Sequence, residues 1–245
     1  MRPRMLWPSL LMALGLAACV DGPVTITSGD VDGSGTILSE DRDIADFDSI
    51  NLAGEGRVIV IQGQPASLTI EADDNLLAHI DTTVSGGVLA ITTEPGIDIN
   101  PTDSIIYRIT GTNINQLSLT GAGSFEMSDV DVNSLSLVLS GAGDIDIGNV
   151  VADDLSVEIA GAGDITVAGA VDSQEVNIPG AGSYEARDLE SAQADVRTSG
   201  VGSATVWVTD QLAATVSGVG SIEYYGSPVV TEVVSGVGSI NHHAG

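Results

Sequence analysis

Carboxylates are the chemically capable side chains that this sequence supplies in number: 34 Asp and Glu against 7 arginines and no lysine, a formal charge of −27 over 245 residues. Glu126 and Asp146, like Asp144 and Asp164, stand twenty positions apart. If twenty is one structural repeat, Glu126, Asp144, Asp146 and Asp164 become neighbours about 4.8 Å apart across successive repeats. Four converging carboxylates would suit Ca²⁺, a hard cation that takes oxygen ligands. The same pattern also describes a solvated acidic face, because two exposed charges at that spacing repel by only about 1 kcal/mol in water. A second candidate runs from Asp30 through Asp32, Ser34 and Thr36 to Asp41, with Gly35 at the sharp turn. It resembles an EF-hand loop but ends in Asp in place of the bidentate Glu and lacks flanking helices, so chance in an Asp- and Gly-rich stretch is the better account.

Other chemistries find less support. His79, His242 and His243 are too scattered to form a ligand set. Adjacent acids such as Asp153 and Asp154 admit glycoside chemistry, yet aromatics make up only 3% of the chain and offer little for stacking sugars. No Ser/His/Asp constellation, phosphate-cradling loop or cysteine nucleophile is recognisable. The expectation is a non-enzyme with no cofactor apart from the Ca²⁺ candidate. The acidic balance excludes nucleic acid as a partner.

Residues 1–18 read as a lipoprotein signal peptide. Arg2 and Arg4 form a positive start, Leu6 to Leu16 is apolar, and Leu16-Ala17-Ala18-Cys19 resembles the lipobox that precedes a lipid-modified cysteine. Cys19 is the lone cysteine, so no internal disulfide is available and a lipidation role gives the thiol a use. Val20 is not the aspartate linked to inner-membrane retention, which points to an outer-membrane anchor, its face undetermined. Residues 19–43, rich in Gly, Ser, Thr and Asp, are expected to be a flexible tether, and residues 44–243 the folded domain.

Positioning these residues is the work of a repeat. A Gly-x-Gly triplet recurs as Gly121/Gly123, Gly141/Gly143, Gly161/Gly163, Gly180/Gly182, Gly200/Gly202, Gly218/Gly220 and Gly236/Gly238, at spacings of 20, 20, 19, 20, 18 and 18. Two residues past the second glycine lie Phe125, Ile145, Ile165, Tyr184, Ala204, Ile222 and Ile240; two before the first lie Leu119, Leu139, Ile159, Ile178, Thr198, Val216 and Val234. A period of two nested in a period near twenty predicts short strands joined at tight turns, with both glycines of each triplet as turn residues. Stacked as coils of an all-β, single-stranded parallel β-helix (a β-solenoid with coils of about 18–20 residues), each unit buries the apolar edge it cannot bury alone. An antiparallel barrel or sandwich explains less well why the glycines return in register. Gly54-Glu55-Gly56 begins the pattern, and the interval to Gly121 has room for about three irregular coils, making about ten in all. A short helical turn is expected from Asp73 to His79, with Asp73 as its N-cap.

Strict alternation also places Ala122, Ala142, Ala162, Ala181, Val201, Val219 and Val237 on the outside, flanked mostly by serines. Such a flat ribbon could dock a polymer or another β-surface. The competing reading is that the glycine corner shifts phase and turns these residues inward as core filler.

The order F-x-x-I-x-L-x-G-x-G-x-V-x-V from Phe47 to Val60, EADDNLL from Glu71 to Leu77, VSGG from Val84 to Gly87 and the serial SG-x-G-S units resemble the head GIN domain family of putative auto-transporter adhesins. The likeness spans roughly residues 35–243. It implies a right-handed β-helical domain on secreted or lipid-anchored bacterial proteins and carries no catalytic residues; the lack of lysine departs from it. The expected function is therefore an adhesin-like, lipid-anchored binding module of the cell envelope that meets polymers or protein partners. The alternatives are a structural scaffold that self-associates and, further off, a carbohydrate-active enzyme.

Overall fold

Apolar residues two apart, repeated every coil, set the architecture. The computed structural model describes residues 29–243, so Cys19 and the expected signal peptide lie outside the described residues. The protein is all-β, a stack of parallel coils making a β-solenoid of about six turns.

The first coil holds β3 (Ser49–Leu52) and β4 (Glu55–Gln62). Chain is then inserted, as β5 (Ser67–Asp73), β6 (Ile80–Ser85), β7 (Val88–Thr93), β8 (Ile97–Asn100) and β9 (Ile106–Gly111). The stack resumes with β10 (Gln116–Leu119), β11 (Ala122–Met127), β12 (Val130–Asp131) and β13 (Ser134–Leu139). Four long strands wind on from there: β14 (Ala142–Ile159), β15 (Ala162–Ile178), β16 (Ala181–Thr198) and β17 (Val201–Val216). The last are β18 (Val219–Gly226), β19 (Val229–Val234) and β20 (Val237–His242).

Register follows the glycine repeat. Ala122 pairs with Ala142, Ala142 with Ala162, Ala162 with Ala181, and Val201 with Val219, which pairs with Val237. Like residues therefore stack in columns: Leu52, Leu119, Leu139, Ile159 and Ile178 form one wall of the core, and Val58, Phe125, Ile145, Ile165 and Tyr184 another, all buried. At about 25 cal/mol per Å² of apolar surface removed from water, burial is the main stabilising term.

The glycines are required chiefly by close approach of backbones. A Cβ on Gly161 would collide with the carbonyl oxygen of Gly141 one coil earlier, and Gly163, besides φ of +144°, would strike that of Gly143. Each corner is thus a place where two main chains pass with no room for a side chain.

Three expectations are corrected here. The first concerns the second glycine of each triplet, which is not a turn residue. Gly123, Gly182, Gly202, Gly220 and Gly238 lie inside β11, β16, β17, β18 and β20 respectively, one residue past the strand's start, and none of the five has a positive, left-handed φ. Gly143 and Gly163 also fall within strands, β14 and β15, though with positive φ. Only the first glycine of each triplet stands between strands, at the break itself. What keeps a side chain off the five is space: a Cβ on Gly123 would meet the Gly56 carbonyl oxygen, and one on Gly182, Gly202, Gly220 or Gly238 would meet that of Gly163, Gly182, Gly202 or Gly220. Their recurrence therefore marks how closely the strands stack there and not where the chain turns.

The second correction is that the long interval between Gly56 and Gly121 does not form three further coils but a cap. Strands β7 and β9 lie parallel on β3 and β4, extending the stack by one layer, and the chain then reverses: β6 runs antiparallel to β7, and β5 antiparallel to β9. Third, the expected tether is not loose over its whole length. From Gly29 it is folded, β1 (Gly29–Asp32) parallel to β8 and β2 (Ile37–Arg42) antiparallel to β5. Within the cap the helical turn shrinks to a 3₁₀ turn, Leu77–His79, that Asp73 does not cap.

Asp73 instead closes the cap from within. Its inaccessible carboxylate accepts the Thr102 hydroxyl at 2.7 Å, the Thr102 N–H at 2.9 Å and the Gly35 N–H at 2.7 Å. These donors, the Thr102 hydroxyl first, hold its pKa below the usual aspartate range against the opposing effect of burial. One side chain thus ties three segments: the β1–β2 loop, the end of β5 and the β8–β9 connection.

Candidate functional site

The ribbon is outward. Ala122, Ala142, Ala162 and Ala181 are exposed, and Val201, Val219 and Val237 keep 62%, 51% and 74% of their surface accessible. Residues one place beyond each triplet, from Ser124 through Asp144 and Asp164 to Ser183, Ser203, Ser221 and Ser239, border it. Alternation holds through the corner because both glycines let the coils pack without a phase shift. The face therefore combines exposed methyl groups with hydroxyl and carboxylate borders, in a repeat of about 4.8 Å.

The four carboxylates expected to converge are given separate tasks. Glu126 forms an ion pair with Arg57. Asp144 accepts the N–H of Asp164 at 3.1 Å, and Asp164 that of Ser183 at 3.1 Å, so each bridges to the coil above. Asp146 is exposed, in register with Glu126 and Thr166. Among the described residues no group of three His, Cys, Asp or Glu is placed to hold a metal ion; in this patch the carboxylates make cross-coil bonds and an ion pair. The EF-hand-like stretch fares likewise: Asp30 and Asp32 sit in β1, and Asp41 in β2 accepts the Thr69 hydroxyl at 2.7 Å. Asp153 and Asp154 are exposed, the latter accepting the Ser173 hydroxyl at 2.6 Å.

Two groupings escape the sequence reading. Inside the stack, Tyr184 donates its hydroxyl to Gln174 Oε1 at 3.0 Å, Gln174 Nε2 donates to Ser191 Oγ at 2.8 Å, and Ser191 Oγ donates to the Trp207 carbonyl at 3.0 Å. This buried chain of bonds satisfies each polar group it uses, and burial drives the Tyr184 phenol pKa far up, so it stays neutral.

Outside, the Trp207 side chain lies in register with Tyr225 one coil on. Between Ala186 and Glu190 the pairing of β16 with β17 slips, and the extra residues bring Arg187 over the Tyr225 ring, 4.8 Å from its centre. His242 stacks on Tyr224 at 5.0 Å and His243 on Tyr225 at 5.4 Å. Arg187, Asp188, Trp207, Tyr225, Gly226, Ser227 and His242 line a cleft of about 590 Å³. Its trace in the sequence is the drop in repeat spacing from 20 to 18 at Gly200, which leaves the longer coil with residues to spare.

The description "putative auto-transporter adhesin, head GIN domain" fits a family whose pattern matches residues 46–228. The chain belongs to this family. Among solved structures, this head GIN domain protein is similar to a putative adhesin of Bacteroides fragilis NCTC 9343, at 26% identity and a TM-score of 0.84, over 87% of this chain and 100% of that one. It is also similar to a putative lipid binding protein of Parabacteroides distasonis ATCC 8503, at 27% identity and a TM-score of 0.70, over 88% of this chain and 100% of the other. A putative adhesin from the same Parabacteroides strain shares the fold at 23% identity and a TM-score of 0.69, over 88% of this chain and 100% of that one. No curated protein matches the chain significantly. The head GIN domain assignment agrees with the sequence motifs, since Phe47, Ile50, Leu52, Val58 and Val60 are all buried in the first coil.

Proposed function

We propose that this head GIN domain protein is a non-catalytic, adhesin-like binding module of the bacterial cell envelope, carried on a lipid at Cys19 and anchored to the outer membrane. The observation that carries this reading is the ribbon: seven successive Gly-x-Gly triplets each present an exposed Ala or Val between two bare glycines, a flat face on which a polymer or β-rich protein can lie. The adhesin descriptions of the family and of the Bacteroides fragilis neighbour support the class. The lipobox-like Leu16-Ala17-Ala18-Cys19 supports the anchor. Binding of the purified chain to isolated envelope fractions tests the face. Arginines at Ala162, Val201 and Val219 should abolish capture without changing the fold; undiminished capture would overturn the ribbon's role. Cys19→Ser tests the anchor, because the variant should leave the membrane fraction, and a signal-cleaved variant still held there would refute lipidation.

A second reading, a scaffold assembled end to end, is favoured by one observation. Strands β19 and β20 pair only with β17 and β18, leaving their outer edges and the exposed Val229 unpartnered among the described residues. Concentration-dependent assembly by light scattering would favour it.

A further inference from the structure

We propose that the cleft between Trp207 and Tyr225 binds a neutral sugar chain. This deepens the reading of the protein as a binding module by naming a second site and the ligand chemistry it takes. The distribution of aromatics carries it. Phe47, Tyr107, Phe125 and Tyr184 are buried in the core and Tyr224 is packed against it, so the two remaining described aromatics, Trp207 and Tyr225, both stand at this one cleft. A chain so poor in aromatics has placed these two in register on neighbouring coils, with backbones about 4.8 Å apart, Trp207 exposed and Tyr225 half-buried. The electron-rich face of the exposed Trp207 attracts the C–H groups on the flat side of a pyranose, while Tyr225, with His243 stacked on its ring, holds Arg187 beside it; the ring hydroxyls then need partners at the rim.

The rim supplies them. Arg42, Arg57, Arg108 and Arg197 each pair with a carboxylate, whereas Arg187 has none within ion-pair distance among the described residues and rests on Tyr225. Its guanidinium donors remain available to sugar hydroxyls, with Asp188 and Ser227 as acceptors and donors beside it. The site is also held rigid: the Trp207 carbonyl is fixed by Ser191, and the His242 ring donates to the Gly226 carbonyl at 2.9 Å. Charge selects the class of sugar. A chain of −27 repels an anionic polymer, and one guanidinium next to Asp188 does not reverse that field.

The test uses the full chain with Trp7→Phe, which leaves Trp207 as the sole tryptophan reporter. It is titrated with neutral oligosaccharides of glucose, mannose, galactose and N-acetylglucosamine, and with an acidic oligogalacturonate. A saturable change in Trp207 fluorescence with a neutral member is expected, weakened at least about tenfold by Tyr225→Ala. Arg187→Ala, at an exposed position, should weaken it in the same direction if Tyr225→Ala perturbs folding. Absence of a saturable response to every neutral member, stronger binding of the acidic one, or full binding by both variants would overturn the proposal. Envelope capture is measured in parallel. If capture persists and falls with the ribbon arginines while the sugars fail, the cleft assignment alone is lost; if capture also fails, the binding-module reading goes with it.

Discussion

At the N-terminal end, β3 and β4 are covered by β7 and β9, those by antiparallel strands, and the whole is tied by Asp73 to Gly35 and Thr102. At the C-terminal end nothing among the described residues covers β19 and β20, and Val229, Val233, Val234 and Val237 are exposed. A parallel coil always presents the next coil with a matching edge, which is either covered by other parts of the chain or left open. The N-terminal end does the first, at the expense of an insertion; the C-terminal end does the second, and there the edge itself becomes an available surface. The aromatic cleft lies toward this open end.

The sharpest way to break the contrast is a methyl group at a glycine corner. Gly161→Ala, in mid-stack, would press its Cβ on the Gly141 carbonyl with coils locked on both sides, and a loss of about 3 kcal/mol or more is expected in chemical denaturation. Gly236→Ala makes the same collision with Gly218, yet its coil is free to lift, and about 1 kcal/mol is expected; equal losses would mean the end coil is as firmly held as the middle.

Next comes the clasp. The Asp73 pKa is lowered in the folded chain, so its contribution to stability is present above the unfolded value near 3.9 and is lost as pH falls through the folded value. Amide exchange at Gly35 and Thr102 should accelerate by about tenfold in Asp73→Ala at neutral pH and in the wild type at low pH, while β19 and β20 exchange fast throughout. A pH-independent cap would show that the carboxylate is not what closes it.

A smaller effect is expected at Thr198, which occupies a column of Leu and Ile with its hydroxyl buried and, among the described residues, unpartnered. Thr198→Val should raise stability by about 1 kcal/mol, read as a higher Tm. Least of all, Val229→Arg on the open edge, a site 76% exposed, should change stability by under about 0.5 kcal/mol. Its value lies in assembly: if end-to-end contacts form, this charge should abolish them.

The contrast between the ends is also a contrast in legibility. From Gly121 onward, one coil's glycines, inward residues and outward residues return at nearly fixed spacing, so the columns and the exposed ribbon can be read directly. Spacing does not say what a glycine is for, however. Gly121 and Gly123 look alike in the sequence, yet one sits at the break and the other within β11, because close stacking and turning both favour the residue that has no Cβ. The cap obeys no period: Asp73 resembles an N-cap because its partners, Gly35 and Thr102, are 38 and 29 residues away. The carboxylate columns are legible as neighbours but not as hydrogen-bond acceptors, since register alone does not say that an Asp144 oxygen faces the amide of Asp164. The cleft does not show in a count of aromatics over the whole chain, when what matters is that Trp207 and Tyr225 share a column.

The ribbon repeats one small motif coil after coil, so whatever recognises one corner meets it again about 4.8 Å further on. A ligand that is itself periodic could then engage several weak contacts at once, and releasing one would leave the others to hold it while the first re-forms. Its attachment would be strong in aggregate yet indifferent to register, allowing a polymer to creep along the face without leaving it. Such a grip would slip under steady pull and endure brief ones, a mechanical behaviour that a row of alanines and valines would supply without a deep pocket.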